Sequence, residues 1–123
     1  MMNDKILIID DDPDIGMMIK MMLNYKGYST MVINSPLKIN QSLEGVGLIV
    51  MDMLLSGSNG VDVCLQLKEN ELTKRIPVIM ISAHPNAKEI CVEAGADDFI
   101  SKPFDMSDIL ERIGNFIPAP QGK

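Results

Sequence analysis

Positive charge is scarce in this sequence: eleven Lys and Arg stand against seventeen Asp and Glu, for a formal net charge of −6. That balance argues against a basic face for nucleic-acid phosphates and suits cations or basic protein surfaces as partners. Long apolar runs are missing too, so no segment is expected to cross a bilayer. The N-terminus lacks the basic, apolar and small-residue order of a secretory signal. A cytoplasmic location is the resulting expectation. Cysteine is limited to Cys64 and Cys91, which match no metal-ligand spacing and fall in helix-like segments. Both read as packing thiols in a reducing compartment.

What the chain does have is enough apolar residue, 46% of 123 positions, for one domain with one core. Residues 1–117 are expected to form it, with 118–123 a tail or the start of a linker. Eleven methionines are unusual, and stretches such as "MMIKMML" put most of them at helical spacing, as flexible core filler.

The segment "ILIIDDDPDI", residues 6–15, joins a buried-looking strand to Asp10, Asp11, Asp12 and Asp14. Like charges at this density are costly to desolvate without a compensating cation or donors. Asp12 followed by Pro13 reads as a cap and first-turn proline, and Asp14 as a first-turn charge, of a helix over 13–26. Its inner face would be Ile15, Met18, Ile19, Met22 and Leu23, and Gly27 would close it. A less apolar second strand, 28–33, suits a sheet edge. Ser35-Pro36 opens a poorly patterned helix to Leu43. "VGLIVMDM" is a third, buried strand ending at Asp52, followed by a loop over 56–60 and a helix over 61–70. Residues 77–81 form a fourth strand, "HPNAKEICVEAG" a fourth helix, "DDFIS" a fifth strand and 105–116 the last helix. This alternation implies a doubly wound α/β fold: a parallel sheet with right-handed crossovers and helices on both faces.

In such sheets, sites gather beyond the carboxyl ends of the strands. Those ends carry Asp10 and Asp11, Asp52, Ser82 and Lys102, from four separate segments. Clustered carboxylates favour a hard divalent ion such as Mg²⁺. An aspartate can attack phosphorus to form an acyl phosphate, and phosphoryl transfer chiefly needs charge neutralised around the equatorial oxygens.

The acid pair after "ILII", Asp52 in "IVMDMLLSGSNG", Ser82-Ala83 after "VIMI" and Lys102-Pro103 in "GADDFISKPF" resemble the receiver domain of two-component response regulators over nearly the full chain. The resemblance implies a flavodoxin-like, CheY-like sheet of strand order 2-1-3-4-5. It implies that Asp52 is the phosphoacceptor, supplied by a sensor histidine kinase or a histidine phosphotransfer protein. Asp11, Asp52 and the carbonyl of Leu54 would bind Mg²⁺ or Mn²⁺, with Asp10 acting through water. Lys102 would pair with the phosphoryl group and precede a cis peptide bond to Pro103. Ser82 and Phe99 would form the switch, altering the face of the fourth helix, fifth strand and last helix. Lys88, Asp98, Asp108 and Arg112 match positions through which one subfamily cross-pairs two receivers, Lys88 with Asp108 and Asp98 with Arg112, in a phosphorylation-linked homodimer.

The family usually has threonine at Ser82, often proline at Ser56 and often tyrosine at Phe99. These departures bear on coupling rather than on the chemistry. His84 reads as an exposed loop or capping residue, with modulation of phosphoryl lifetime as the alternative. The rival enzyme reading is a haloacid-dehalogenase-like phosphatase with Asp10 as nucleophile and Asp12 as acid–base. Against it, the chain is short and "GADD" precedes Lys102 rather than following it. A flavodoxin-like cofactor binder would need a phosphate loop where this chain places four aspartates. A pseudo-receiver would lack phosphorylation residues that are present here.

Overall fold

The computed structural model describes residues 4–55 and 58–118. Its elements in chain order are β1 (Lys5–Ile9), α1 (Pro13–Tyr25), β2 (Ser29–Ile33), β3 (Val46–Asp52), β4 (Leu54–Leu55), β5 (Ser58–Asn59), α2 (Gly60–Glu69), β6 (Val78–Ser82), α3 (Ala87–Glu93), β7 (Asp98–Ser101) and α4 (Met106–Gly114). Five strands pair in parallel in the order β2-β1-β3-β6-β7, while β4 and β5 form a small separate hairpin. The doubly wound sheet and its expected 2-1-3-4-5 order are both present.

Buried side chains alternate strictly between the two faces of the central strands. Leu7, Ile9, Ile49, Met51, Val78 and Met80 pack with Val63, Cys64 and Leu67 of α2 and Ala87 and Cys91 of α3. Ile6, Ile8, Leu48, Val50, Ile79 and Ile81 pack with Ile19, Met22 and Leu23 of α1 and Ile109 and Ile113 of α4. Two covered faces explain why these strands read as continuous apolar runs. The edge strand β2 leaves Ser29 and Met31 exposed, Thr30 and Val32 half-buried and only Ile33 buried, as its mixed sequence implied. Tyr28 donates its hydroxyl proton to the Ile117 carbonyl at 2.9 Å, fastening the chain after α4 to the start of β2. Asp97 accepts bonds from Lys68 Nζ at 2.7 Å and Val78 N–H at 2.8 Å, and so pins the starts of β6 and β7.

Two expectations are corrected. The segment from Ser35 to Leu43 is no α-helix but two short 3₁₀ turns, Pro36–Lys38 and Asn40–Ser42. Ser42 Oγ donates to the Lys38 carbonyl, Ile39 is the only residue of either turn region in the core, and Leu37 stays exposed. Without an apolar stripe nothing pulls the segment into a longer helix. The methionines also divide: Met22, Met51, Met53 and Met80 are core, but Met17, Met18 and Met21 are exposed. The face of α1 that meets the sheet is narrow, and Gly16, Ile19, Met22 and Leu23 fill it. Ile15 is only half-buried and Met18 falls outside. The remaining helices begin and end within a few residues of expectation, and Gly27 and Gly95 follow α1 and α3 at φ 94° and 99°. The expected tail lies, after Pro118, outside the described residues, as does Ser56.

Gly60, the first residue of α2, donates its N–H to the Met53 carbonyl at 2.8 Å. A Cβ there would stand 2.6 Å from the carbonyl oxygens of both Asp52 and Met53. Backbone cannot yield as a side-chain tip can. Gly60→Ala is therefore expected to destabilise the fold by about 1–3 kcal/mol in urea denaturation, as overpacking does, outweighing the ~1 kcal/mol that alanine gains in a helix.

Candidate functional site

Strand register brings the site together. Ile9 lies level with Met51, so Asp10, one residue on, comes beside Asp52 at the end of β3. Asp52 pairs with Ile81, and Ser82 with Ser101, so that Ser82 and Lys102 complete the same rim. Lys102 N–H donates to the Ser82 carbonyl at 2.9 Å, which sets where the lysine leaves the sheet. Lys102 Nζ then reaches Asp52 Oδ2 at 2.8 Å. The bond between Lys102 and Pro103 is cis.

Asp10 is almost fully buried, and its Oδ1 accepts the N–H of Asp12 at 2.9 Å. Burial pushes its carboxyl above the usual 3.8; the Asp12 N–H and Lys102 pull it back, while Asp52 and Asp11 add to the rise. Asp11 is half-buried on the same rim. Asp12 caps α1, accepting from Asp14 and Ile15 N–H, and Asp14 is exposed in the first turn.

Ser82 is buried, and its Oγ accepts the His84 N–H at 3.0 Å. His84 is exposed, and its Nδ1 accepts the Asn86 N–H at 3.2 Å just before α3. Phe99 is turned into the core layer that includes Ala87 and Cys91. Leu54 begins the β4–β5 hairpin, paired with Asn59. On the far face, Lys88 and Asp108 are exposed. Arg112 Nη1 meets Asp98 Oδ1 at 2.6 Å within the same chain, where a contact between chains was expected. Both cysteines are free and buried; burial raises the Cys64 thiol to about 11 and raises Cys91 as well.

Among the described residues, no three carboxylate, imidazole or thiol side chains are gathered closely enough to hold a metal ion. The expected trio of Asp10, Asp11 and Asp52 is thus not a closed cage. One Asp52 oxygen is on the lysine, and one Asp10 oxygen is on the Asp12 amide. The donor set nonetheless fits Mg²⁺ or Mn²⁺. It is all oxygen, its negative charge exceeds the one ammonium present, and Mg²⁺ takes only one or two carboxylates plus water.

Two features of the site were not legible from sequence. Gly60 packs directly against the Asp52 carbonyl. Beside the rim, Met17, Met18, Met21, Tyr25, Phe104 and Met106 line an open apolar groove of about 570 Å³. A neighbouring hollow, lined by Ile15, Met18, Lys102, Pro103 and Phe104 among others, joins this groove to the site lysine.

The geometry disfavours Asp10 as a nucleophile. It is buried, its Oδ1 is held by a main-chain amide and burial raises its carboxyl above the usual value, whereas Asp52 faces a cation. The dehalogenase-like reading is accordingly not supported. Residues 6–114 match the family model of the response regulator receiver domain. The chain is 32% identical over 119 residues to the DNA-binding response regulator MtrA of Mycolicibacterium smegmatis, covering 91% of this chain and 50% of that protein. It thus spans about half the length of the curated relatives it matches. The receiver domain of a signal transduction histidine kinase from Syntrophus aciditrophicus superposes with TM-score 0.83 at 29% identity, covering 93% of this chain and 89% of that one. The receiver domain of sensor histidine kinase PA1611 from Pseudomonas aeruginosa, solved with magnesium in its active-site cleft, shares the fold: TM-score 0.83, 24% identity, and 94% and 98% coverage.

In the absence of divalent ions, a carboxyl held above its ordinary value costs stability as pH rises through that raised value, because the folded state prefers the proton. Asp10→Asn should be more stable than the parent at neutral pH, and the gap should close as pH falls towards the ordinary carboxylate range. Urea denaturation across that range checks it; a gap that widens in acid would contradict the assignment.

Proposed function

We propose, from the premise that this chain belongs to the response regulator receiver domain family, that Asp52 is its phosphoacceptor in a cytoplasmic signalling pathway. The observation that carries the proposal is the 2.8 Å contact between Lys102 and Asp52 at the carboxyl ends of the strands, with Asp10 beside it. An Asp52 oxygen attacks the phosphorus of a partner's phosphohistidine. The P–N bond breaks, an acyl phosphate forms and the imidazole departs. The donor is a sensor histidine kinase or a histidine phosphotransfer protein.

Asp11, Asp52 and the Leu54 carbonyl, with Asp10 through water, would hold Mg²⁺ or Mn²⁺, which supplies the positive charge that phosphoryl transfer requires. Lys102 exchanges its carboxylate partner for a phosphoryl oxygen. Asp10 keeps the turn after β1 in place through the Asp12 amide. The chain promotes its own phosphotransfer and acts as a signalling domain rather than as an enzyme on other substrates.

The new group adds charge and three acceptors. Ser82 Oγ, which now holds the His84 amide, is drawn towards it, and Phe99 turns into the space released. The face of α3, β7 and α4 then changes, a two-state element biased by the phosphoryl group. Phe99 cannot donate a hydrogen bond in its inward position, so the coupling rests on packing alone.

The donor docks on the α1 groove, through an apolar helix face that brings its phosphohistidine to the rim. Two facts support this placement: the groove is open and apolar, and Met18 and Phe104 line both it and the hollow at Lys102. No direct contact with nucleic acid is assigned to this acidic domain.

Incubation with Mg²⁺ and acetyl phosphate should add one phosphoryl group to the parent, seen by intact-protein mass spectrometry, and none to Asp52→Asn. Labelling of that variant at the parent's rate sinks the proposal. Sedimentation with and without beryllofluoride tests the homodimer. Association requires the internal Asp98–Arg112 contact to open in favour of cross-pairs, each worth only tenths to about 1 kcal/mol. A dimer should therefore appear only with beryllofluoride, and a monomer in both conditions removes it.

A further inference from the structure

Among the described residues, the exposed thioethers are concentrated. Met17, Met18, Met21 and Met106 are 52%, 50%, 64% and 57% exposed, and all four line the groove beside the phosphoacceptor rim. Met22, Met51, Met53 and Met80 are at most 8% exposed, and Met31, at 37%, lies apart on the edge strand β2. A thioether reacts with two-electron oxidants according to its exposure. The competing thiols are weak rivals, since Cys64 and Cys91 are fully buried and burial holds both in the protonated form.

We propose that these four methionines form a redox modification site at which hydrogen peroxide or hypochlorous acid shuts out the protein phosphodonor while leaving Asp52 reactive. The inference rests on the phosphoacceptor reading and on the groove as the donor's seat. A sulfur lone pair attacks one peroxide oxygen, the O–O bond breaks and an S–O bond forms. Sulfur gives up two electrons and the peroxide leaves as water; with hypochlorous acid the products are chloride and a proton. The sulfoxide places a strong acceptor among the apolar side chains of the groove, whose one charged lining residue is Asp14. A docked apolar helix would bury that acceptor without a donor, at a cost that weakens association about tenfold or more. Peroxide leaves the rim untouched, because it oxidises neither a carboxylate nor the Lys102 ammonium.

The test treats the intact chain with peroxide and locates the added oxygens by peptide mass spectrometry. Labelling of Asp52 is then timed with acetyl phosphate, and with a panel of autophosphorylated histidine kinase cores from the same genome. The core that labels untreated chain fastest serves as donor. Oxygens should appear first at the four groove methionines. Labelling by the kinase should fall about tenfold or more, while labelling by acetyl phosphate should change little. Methionine sulfoxide reductase should restore the kinase rate. The quadruple variant M17L/M18L/M21L/M106L should keep it through peroxide treatment, and M31L should behave as the parent.

Oxidation spread over buried and exposed methionines alike, or an unchanged kinase rate in the oxidised chain, overturns the proposal. So does an equal slowing with both phosphodonors, since the sulfoxides would then be acting on the fold. Failure of acetyl phosphate to label the untreated chain overturns instead the phosphoacceptor reading. Acetyl phosphate labelling without labelling by any core overturns the protein donor, and the redox site with it.

Discussion

Everything at the rim follows from one electrostatic constraint: Asp10 feels the charges of both Asp52 and Asp11, and the Lys102 ammonium that offsets them sits on Asp52. In water such neighbours repel weakly; with Asp10 and Asp52 largely withdrawn from solvent, the repulsion and the desolvation are both larger. The fold holds the arrangement by register rather than by the site's own attraction. β3, β6 and β7 are locked side by side through their buried faces, and the Ser82 carbonyl fixes the Lys102 amide. The lysine side chain only has to span from the end of β7 to the end of β3. A strained concentration of negative charge is thus supported by some thirty buried apolar residues that take no part in the chemistry.

The same division explains what could be read from the sequence. Strands β1, β3 and β6 were legible because burial on both faces leaves an uninterrupted apolar run, and the residues at their ends followed by counting. Asp10, Asp52, Ser82 and Lys102 come together for that reason alone. The segment from Ser35 to Leu43 was misread because Ser35-Pro36 is a sound helix start with no apolar stripe behind it. Start signals are local, whereas helix length depends on what the packing can bury. Met18 was misassigned by a similar error of width. Helical spacing identifies a face but not how much of it the sheet will cover, and α1 presents a narrow one. Gly60 was illegible because its role depends on where the Asp52 and Met53 carbonyls lie in space.

Ser82 occupies the position where site and fold meet. Its carbonyl holds the Lys102 amide, and its hydroxyl oxygen holds the His84 amide, whose imidazole in turn accepts from Asn86 at the start of α3. Any pull on the hydroxyl is therefore passed directly to the loop that begins α3, without a long path through side chains. A serine lacks the β-methyl that restricts a threonine's rotamers, so it moves at lower cost and transmits less stiffly. Phe99 adds a ring that leaves or enters the core layer under α3 by packing alone. Both substitutions relative to the family's usual residues act in the same direction. If Asp52 accepts a phosphoryl group as proposed, they would loosen its coupling to the α3–β7–α4 face while leaving the acceptor intact.

The two core layers separate the groove from Phe99. The groove lies on α1 and the start of α4, outside the layer those helices form with the sheet, and its methionines contribute almost nothing to that core beyond Met22. Phe99 belongs to the opposite layer, with α2 and α3. A change in the polarity of the groove would therefore leave the packing around Phe99 undisturbed. Conversely, α4 spans two regions: Met106 begins it in the groove, and Arg112, in its last turn, holds Asp98 at the start of β7. Its buried Ile109 and Ile113 seat it on the sheet between these ends, so a donor at one end and a released Asp98–Arg112 contact at the other bear on the same rigid element.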